Sequence, residues 1–281
     1  MQPFGDLPQE FCNRENSRFV LVPVPFDGTS TWIKGADRGP AAIIEASAQL
    51  ELYDIETGSE VYRKGIHTDR PVACGPSPES MVASVEEVVM EWIGKEKLVG
   101  CIGGEHSISA GAVQAHVRKY PEMSVLQLDA HTDLRPEYEG SPYNHACVMA
   151  RIRELCPVTQ VGIRSMDSSE KEFLEPGRVF FQEEIRQEED WMDRVTGTLN
   201  KQVYLTLDLD VLDPSIMSST GTPEPGGMGW YELITLLRKV ASERQIVGFD
   251  VVELCPNPTV RAPDFLAAKL IYKILTYCNE Q

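Results

Sequence analysis

This chain predicts an α/β domain built on a mostly parallel sheet, and three observations lead there. Short Val-, Ile- and Leu-rich runs alternate with longer amphipathic stretches almost from end to end. Several of those runs are apolar on both faces, as parallel strands covered by helices on each side must be. No Pro/Gly/Ser-rich linker, repeat or low-complexity tract divides the chain, so residues 1–281 read as a single domain. The periodicity fits an open sheet and a closed barrel equally well. In both, functional groups gather where strands end and the next loops begin.

Taken in order, residues 18–26 form the first candidate strand, and the apolar spacing over 40–52 predicts the helix that follows. Residues 64–68 are the second strand. Ser77 then stands as N-cap with Pro78 in the first helical position, ahead of Met81, Val82, Val85, Val88, Val89, Trp92 and Ile93 at helical spacing. Residues 98–103 are the third strand, and the pair Gly103-Gly104 allows a tight turn into another helical stretch. Further strands are predicted at 124–129, 158–163, 178–181, 203–210 and 246–252, with amphipathic helices over 229–244 and 263–278.

Composition narrows the function classes. Hydrophobic residues at 42% and charged residues at 25% describe a globular chain, not a disordered one. Lys+Arg 26 against Asp+Glu 43 gives a net charge of −17, which repels nucleic acid and favours metal ions and small cations. No run approaches the apolar length of a membrane span, and residues 1–11 lack the basic stretch and apolar core of a secretory signal. The seven cysteines are scattered, with no CxxC pair. They read as reduced thiols, most of them small buried hydrophobes, in a cytoplasmic protein without a membrane partner.

Three segments carry chemistry. Asp129-Ala130-His131-Thr132-Asp133 follows directly on an apolar strand. If extended geometry continues, its two carboxylates and imidazole face one point and suit a divalent cation; the alternative is a turn with solvated acids and an incidental histidine. Asp208 and Asp210 share a face in the same way, inside a run that is otherwise strand-forming. Two carboxylates buried together force a proton onto one of them, and a bound cation removes that conflict. Asp213, before Pro214, reads as a turn residue. His106 projects from the glycine turn, and His106, His131 and His145 all sit at strand-end or loop positions. The carboxylates of Asp129, Asp133, Asp208 and Asp210 match the charge of two divalent cations. With His106 and His131 they form a hard, oxygen-rich ligand set, which points to a dinuclear centre of Mn²⁺-like character and not to a single zinc. Such a pair lowers the pKa of a shared water, so the sequence reads as a two-metal hydrolase.

Gly103-Gly-Glu-His-Ser107, Asp129-Ala-His-Thr-Asp-Leu134 and Asp208-Leu-Asp-Val-Leu-Asp-Pro214, the last running on to Thr220-Gly-Thr-Pro-Glu-Pro-Gly-Gly227, resemble the signatures of the ureohydrolase family. That family contains arginases, agmatinases and related guanidino hydrolases. Residues 35–47 and Phe249-Asp-Val-Val-Glu253 with Pro256 match it as well, so the resemblance spans nearly the whole chain. It implies an arginase-like three-layer α/β/α fold with an eight-stranded sheet, two Mn²⁺ ions, and hydrolysis of a guanidinium group to urea by a homo-oligomer, a trimer or hexamer. It also implies that His106 and Asp133 complete one metal's shell and His131 and Asp210 the other's, with Asp129 and Asp208 bridging. His145 matches the family's proton-shuttling loop histidine, expected to act as general acid near its ordinary pKa, and Glu253 matches the glutamate that pairs with the guanidinium. Asp133 would orient the attacking oxygen. Two departures stand out: Glu105 where many members carry Asp, and Ser218-Ser219 in place of a Pro-Gly pair.

The substrate is read from the loop over 134–144. It lacks the Asn and Ser pattern with which arginases bind an amino-acid carboxylate, and it brings Glu137 and Glu139 close to the site. Acidic residues suit a substrate with an amine in that place, and a −17 chain draws in dications. Agmatine, cleaved to putrescine and urea in polyamine biosynthesis, is therefore the expected substrate. N1-(3-aminopropyl)agmatine, which needs a wider acidic channel, and 4-guanidinobutanoate, whose carboxylate Arg135 would have to pair, are alternatives within the same chemistry. A two-metal phosphoesterase would want clustered Lys and Arg beside the motifs, and there is none. A non-catalytic metal-binding protein would have no use for His145 and Glu253.

Overall fold

The computed structural model describes residues 2–280. Its strands are β1 (Phe19–Val24), β2 (Ile66–Thr68), β3 (Leu98–Gly103), β4 (Ser124–Leu128), β5 (Val158–Ile163), β6 (Val179–Phe181), β7 (Gln202–Asp208) and β8 (Gln245–Val252). All eight predicted runs are strands. The helices are α1 (Gly39–Ser47), α2 (Pro78–Ile93), α3 (Ile108–Lys119), α4 (Val148–Ile152), α5 (Gln182–Ile185), α6 (Trp191–Thr198), α7 (Trp230–Glu243) and α8 (Ala262–Asn279). Sequence periodicity did not reveal α4, α5 and α6, which have 5, 4 and 8 residues. About two turns or fewer give an amphipathic pattern too little length to register.

The strands form one open, all-parallel sheet in the order β2-β1-β3-β8-β7-β4-β5-β6. On one face α1, α6, α7 and α8 pack against Phe19, Leu21, Leu126, Leu128, Leu205, Leu207 and Phe249. On the other, α2, α3 and α4 pack against Val20, Val22, Val99, Cys101, Val125 and Tyr204. This is the three-layer α/β/α arrangement that the resemblance implied. Burial on both faces explains the continuous apolar runs, since β1, β4 and β5 are buried at every residue. Helix α2 begins as its sequence dictates, with Ser77 Oγ accepting the Ser80 N–H at 3.2 Å and Ser80 Oγ accepting the Ser77 N–H at 3.1 Å. Met81, Val82, Val85, Val89, Trp92 and Ile93 are buried beneath it, and the aliphatic ones contribute roughly 1.5–3 kcal/mol each. Among the described residues no helix is long and apolar enough to cross a membrane.

The strand order explains why distant motifs meet. Strands β3, β8, β7 and β4 are the central four, and Ile102, Val251, Leu207 and Leu128 lie in one row across them. Because every strand is parallel, the chain leaves the sheet on the same edge each time. His106 follows β3, Glu253 follows β8, Asp208 ends β7, and Asp129 follows β4. Such a carboxyl edge is where open α/β sheets bind ligands.

Candidate active site

Two of the predicted strands stop early, and this changes how the acids are presented. Strand β4 ends at Leu128, and β7 gives way at Asp208 to a 3-10 turn over Leu209–Val211. The Asp208 side chain caps that turn by accepting the Asp210 N–H at 2.8 Å. Asp133 reaches the site with φ 52°, and its carbonyl accepts the N–H groups of Met149 and Ala150 at 3.0 and 3.2 Å. The two-residue alternation expected of an extended chain is therefore not what brings these groups together. Turns do it, each satisfied by local hydrogen bonds.

The groups do converge. His106 Nδ1 lies 3.1 Å from Asp129, 3.2 Å from Asp133 and 3.4 Å from Asp208. His131 Nδ1 lies 3.0 Å from Asp210 and 3.6 Å from Asp129. His106, Asp129 and Asp208 form one group with metal-ligand spacing, and Asp129, His131 and Asp210 form a second, each with donor atoms within 4.8 Å of one another. Asp129 belongs to both.

The chemistry of this set fits divalent cations. His106 Nδ1 is buried without a hydrogen-bond partner. Its other nitrogen, Nε2, lies 2.8 Å from Thr206 Oγ1, whose single proton goes to Asp250 Oδ1 at 2.7 Å. Thr206 must then accept from Nε2–H, which leaves Nδ1 a lone pair aimed at three carboxylates. Burial opposes charge on His106, but the carboxylates of Asp129, Asp133 and Asp208 around it carry its pKa well above the ordinary value. A field that favours a proton there favours a metal ion equally. Burial, then Asp210 and Asp129, push the Asp208 carboxyl well above the carboxylate range. Asp133 is pushed up to about 7 by burial and by Asp129. Asp129 is held low against its burial by His106 and His131. These acids cannot all ionise together without added positive charge.

Neutral side chains fix the acids. Asp129 Oδ1 accepts the His131 N–H at 2.6 Å, and Oδ2 accepts from Gln127 Nε2 at 2.7 Å. Gln160 Nε2 donates in turn to Gln127 Oε1 at 2.6 Å. Asp210 Oδ1 accepts the Ala130 N–H at 3.1 Å. Arg164 clips the loop after β7 by donating to the carbonyls of Asp210 at 2.6 Å and Glu224 at 2.8 Å.

A cavity of about 300 Å³ opens above these groups, with His145 and Glu253 in its lining, a size at the small end of ligand sites. Glu253 has φ 69°, and its Oε1 accepts the His106 N–H at 2.7 Å. Burial and the neighbouring Glu105 raise its pKa well above the usual range. His145 begins a 3-10 turn capped by Asn144. Burial, then positive charge at His106 and His131, push its pKa down to about 4. It therefore stands neutral at pH 7, below the expectation that it titrates near its ordinary value.

The loop over 134–144 differs from its sequence reading. Glu137 and Glu139 are exposed, and neither lines the cavity. Tyr138 and Ser141 exchange backbone bonds at 3.2 and 3.1 Å, which makes Glu139 and Gly140 the tip of a tight turn facing solvent. Arg135 and Tyr138 line the cavity instead, with the guanidinium stacked 4.4 Å from the ring and its Nε 4.0 Å from Glu170. Sequence reasoning gave no role to Thr29, Trp32, Asp167, Glu170, Glu224 or Asp250. Trp32 lines the cavity at 75% exposure, and Glu224 lies 3.8 Å from His131 Nε2. Only Glu224 and Asp250 fall inside a motif, so nothing local marked the others.

An open parallel α/β/α sheet carrying a buried Asp/His cluster under a small acidic cavity defines a metal-dependent hydrolase. The Arginase family model matches residues 17–276. The N(1)-aminopropylagmatine ureohydrolase of a Synechocystis species is 37% identical over 294 residues, covering 99% of this chain and 96% of that protein. The N(1)-aminopropylagmatine ureohydrolase of Thermus thermophilus is 40% identical over 263 residues, covering 92% and 89%. The crystal structure of agmatine ureohydrolase of Thermoplasma volcanium matches with TM-score 0.87 and 29% identity, covering 100% of this chain and 95% of that one. The chain belongs to the Arginase family. It is a ureohydrolase that cleaves guanidino C–N bonds.

Proposed function

We propose that this ureohydrolase acts on N1-(3-aminopropyl)agmatine, releasing urea and spermidine in polyamine biosynthesis. The sequence alone favoured agmatine; relatives at 37% and 40% identity that carry the aminopropylagmatine name support the longer substrate. Those names carry the choice of the longer tail, and the charge of the cavity wall carries the choice of an amine over a carboxylate. Asp167 and Glu170 line it beyond the metal ligands, with Glu224 close by, and Arg135 is the one Lys or Arg in the lining among the described residues. Its guanidinium stacks on Tyr138 with Nε 4.0 Å from Glu170, so this one cation stands among the acids of the wall. A polyamine tail suits such a wall; arginine and 4-guanidinobutanoate do not.

In this reading His106, His131, Asp129, Asp133, Asp208 and Asp210 would hold two Mn²⁺ ions, which would supply an activated water. Glu253 receives the guanidinium through charge-assisted hydrogen bonds and sets its carbon over the acids. Asp133 accepts a hydrogen bond that aims the attacking oxygen. The C–N bond to the polyamine breaks, and His145 delivers the proton that the leaving amine needs. The working unit is a homo-oligomer.

Urea release measured on aminopropylagmatine, agmatine, arginine and 4-guanidinobutanoate tests this. The expected kcat/KM for aminopropylagmatine exceeds that for agmatine by about tenfold or more, as differential contacts to a longer substrate allow. A preference for agmatine or for either carboxylate-bearing substrate overturns the proposal.

A further inference from the structure

Thr29 sits in the loop after β1, outside every motif, and is 8% exposed. Its hydroxyl makes three polar contacts. Oγ1 donates to Glu105 Oε1 at 2.8 Å, accepts the His145 N–H at 2.9 Å, and lies 3.1 Å from His145 Nδ1. Glu105 is itself fully buried, and both of its oxygens accept. Oε1 takes the Thr29 N–H at 3.3 Å as well as the hydroxyl, and Oε2 takes the Ser107 N–H at 2.8 Å. A hydroxyl has one proton, and here it is committed to Glu105. Toward His145 Nδ1 the oxygen can only accept. The ring proton therefore sits on Nδ1, and the lone pair sits on Nε2.

We propose that Thr29, anchored by Glu105, is a positioning residue that holds His145 in its Nδ1–H tautomer and presents Nε2 to the leaving nitrogen of the guanidinium. The inference rests on the reading of His145 as the proton donor. It specifies the path of the proton. Nε2 takes the proton lost by the attacking water, and the imidazolium that forms is stabilised through Nδ1–H and Thr29. When the C–N bond breaks, the same proton passes from Nε2 to the departing amine, and Nδ1 keeps its own proton throughout. Glu105, the departure from the family pattern, then serves to orient a hydroxyl on a different loop. Thr29 is the residue to vary, because Glu105 adjoins His106 in the chain.

The test is a double-mutant cycle on urea release by the Mn²⁺-loaded enzyme, with metal content measured for each variant. Thr29→Val is expected to lower kcat about ten- to a hundredfold, the cost of misplacing a catalytic group, with KM and metal content unchanged. In a His145→Ala background the same change is expected to shift kcat less than about twofold, since the group it acts through is gone. Thr29→Ser, which keeps the hydroxyl, should restore most of the rate, and Thr29→Ala replaces Thr29→Val should valine fail to fold. Equal losses in both backgrounds, or no gain from serine, overturn the positioning role. If His145→Ala falls but Thr29→Val keeps full kcat, the tether alone is wrong. If His145→Ala keeps full kcat, the proton-donor reading fails and the tether with it.

Discussion

One nitrogen shows how much the site depends on groups that never touch a ligand. His106 Nδ1 faces Asp129, Asp133 and Asp208 because its ring is turned by Thr206, which is turned by Asp250, which also accepts from Tyr204 at 2.7 Å. Thr206→Val removes the acceptor for Nε2–H, and metal affinity is expected to fall about 10–100-fold, as it does when an outer partner of a metal histidine is lost. Competition against a chelator reads this directly; unchanged affinity would mean that packing alone sets the ring. At this scale the metal-ligand candidates were legible in the sequence, because buried cation sites need Asp and His at strand ends and little else puts them there. Their geometry was not, since Asp133 with φ 52° and Asp210 on a 3-10 turn obey no strand alternation. The supporting hydroxyls were invisible. Thr206 lies 100 residues from His106 and Thr29 lies 76 from Glu105, and nothing distinguishes a threonine with such a partner from one facing solvent.

Helices were legible in proportion to their length. The strands and the long helices announce themselves by apolar period, whereas α4, α5 and α6 are too short to do so. Between β3 and α3, Gly104 is required by space: a Cβ there would lie 1.9 Å from the Phe26 carbonyl oxygen. The backbone of Gly104 also ties two strands' ends, donating to Val24 O and accepting from Glu253 N at 2.8 Å each. Helix α3 carries a buried histidine with a different part to play. His116 packs against Tyr204 with ring centroids 4.7 Å apart, and burial pushes its pKa down to about 4 from an ordinary 6.5. Folded His116 is neutral at pH 5, whereas the unfolded chain binds a proton there. Its contribution is full above about 6.5 and is lost as the pH falls toward 4, a loss of about 3 kcal/mol. Urea denaturation of wild type and His116→Phe at pH 7 and pH 5 measures it. The phenylalanine variant should lose less stability between the two pH values, and parallel losses would assign acid sensitivity to other groups.

Across the whole molecule, strand order does what no motif states. Placing β3, β8, β7 and β4 side by side gathers residues 106, 129, 208 and 253 onto one edge, and that order cannot be read from periodicity because every parallel strand looks alike. The resemblance supplied the eight-stranded three-layer architecture, and the order of the strands is seen only in the structure. Net charge acts at the same scale. A −17 chain attracts a polycationic substrate over distances that salt shortens. The KM for aminopropylagmatine should rise several-fold between about 0.01 and 0.15 M ionic strength with kcat steady, while the KM for agmatine, with one positive charge fewer, rises less. A flat KM would confine recognition to the cavity wall.

The most direct measurement is the number of metal ions per chain, taken together with urea release, for wild type and Asp129→Asn after loading with Mn²⁺. Asp129 belongs to both ligand groups, so two ions are expected in wild type, with binding and turnover lost together in the variant. One ion or none in an active wild type, or an Asp129→Asn protein that keeps two ions and full activity, contradicts the dinuclear centre.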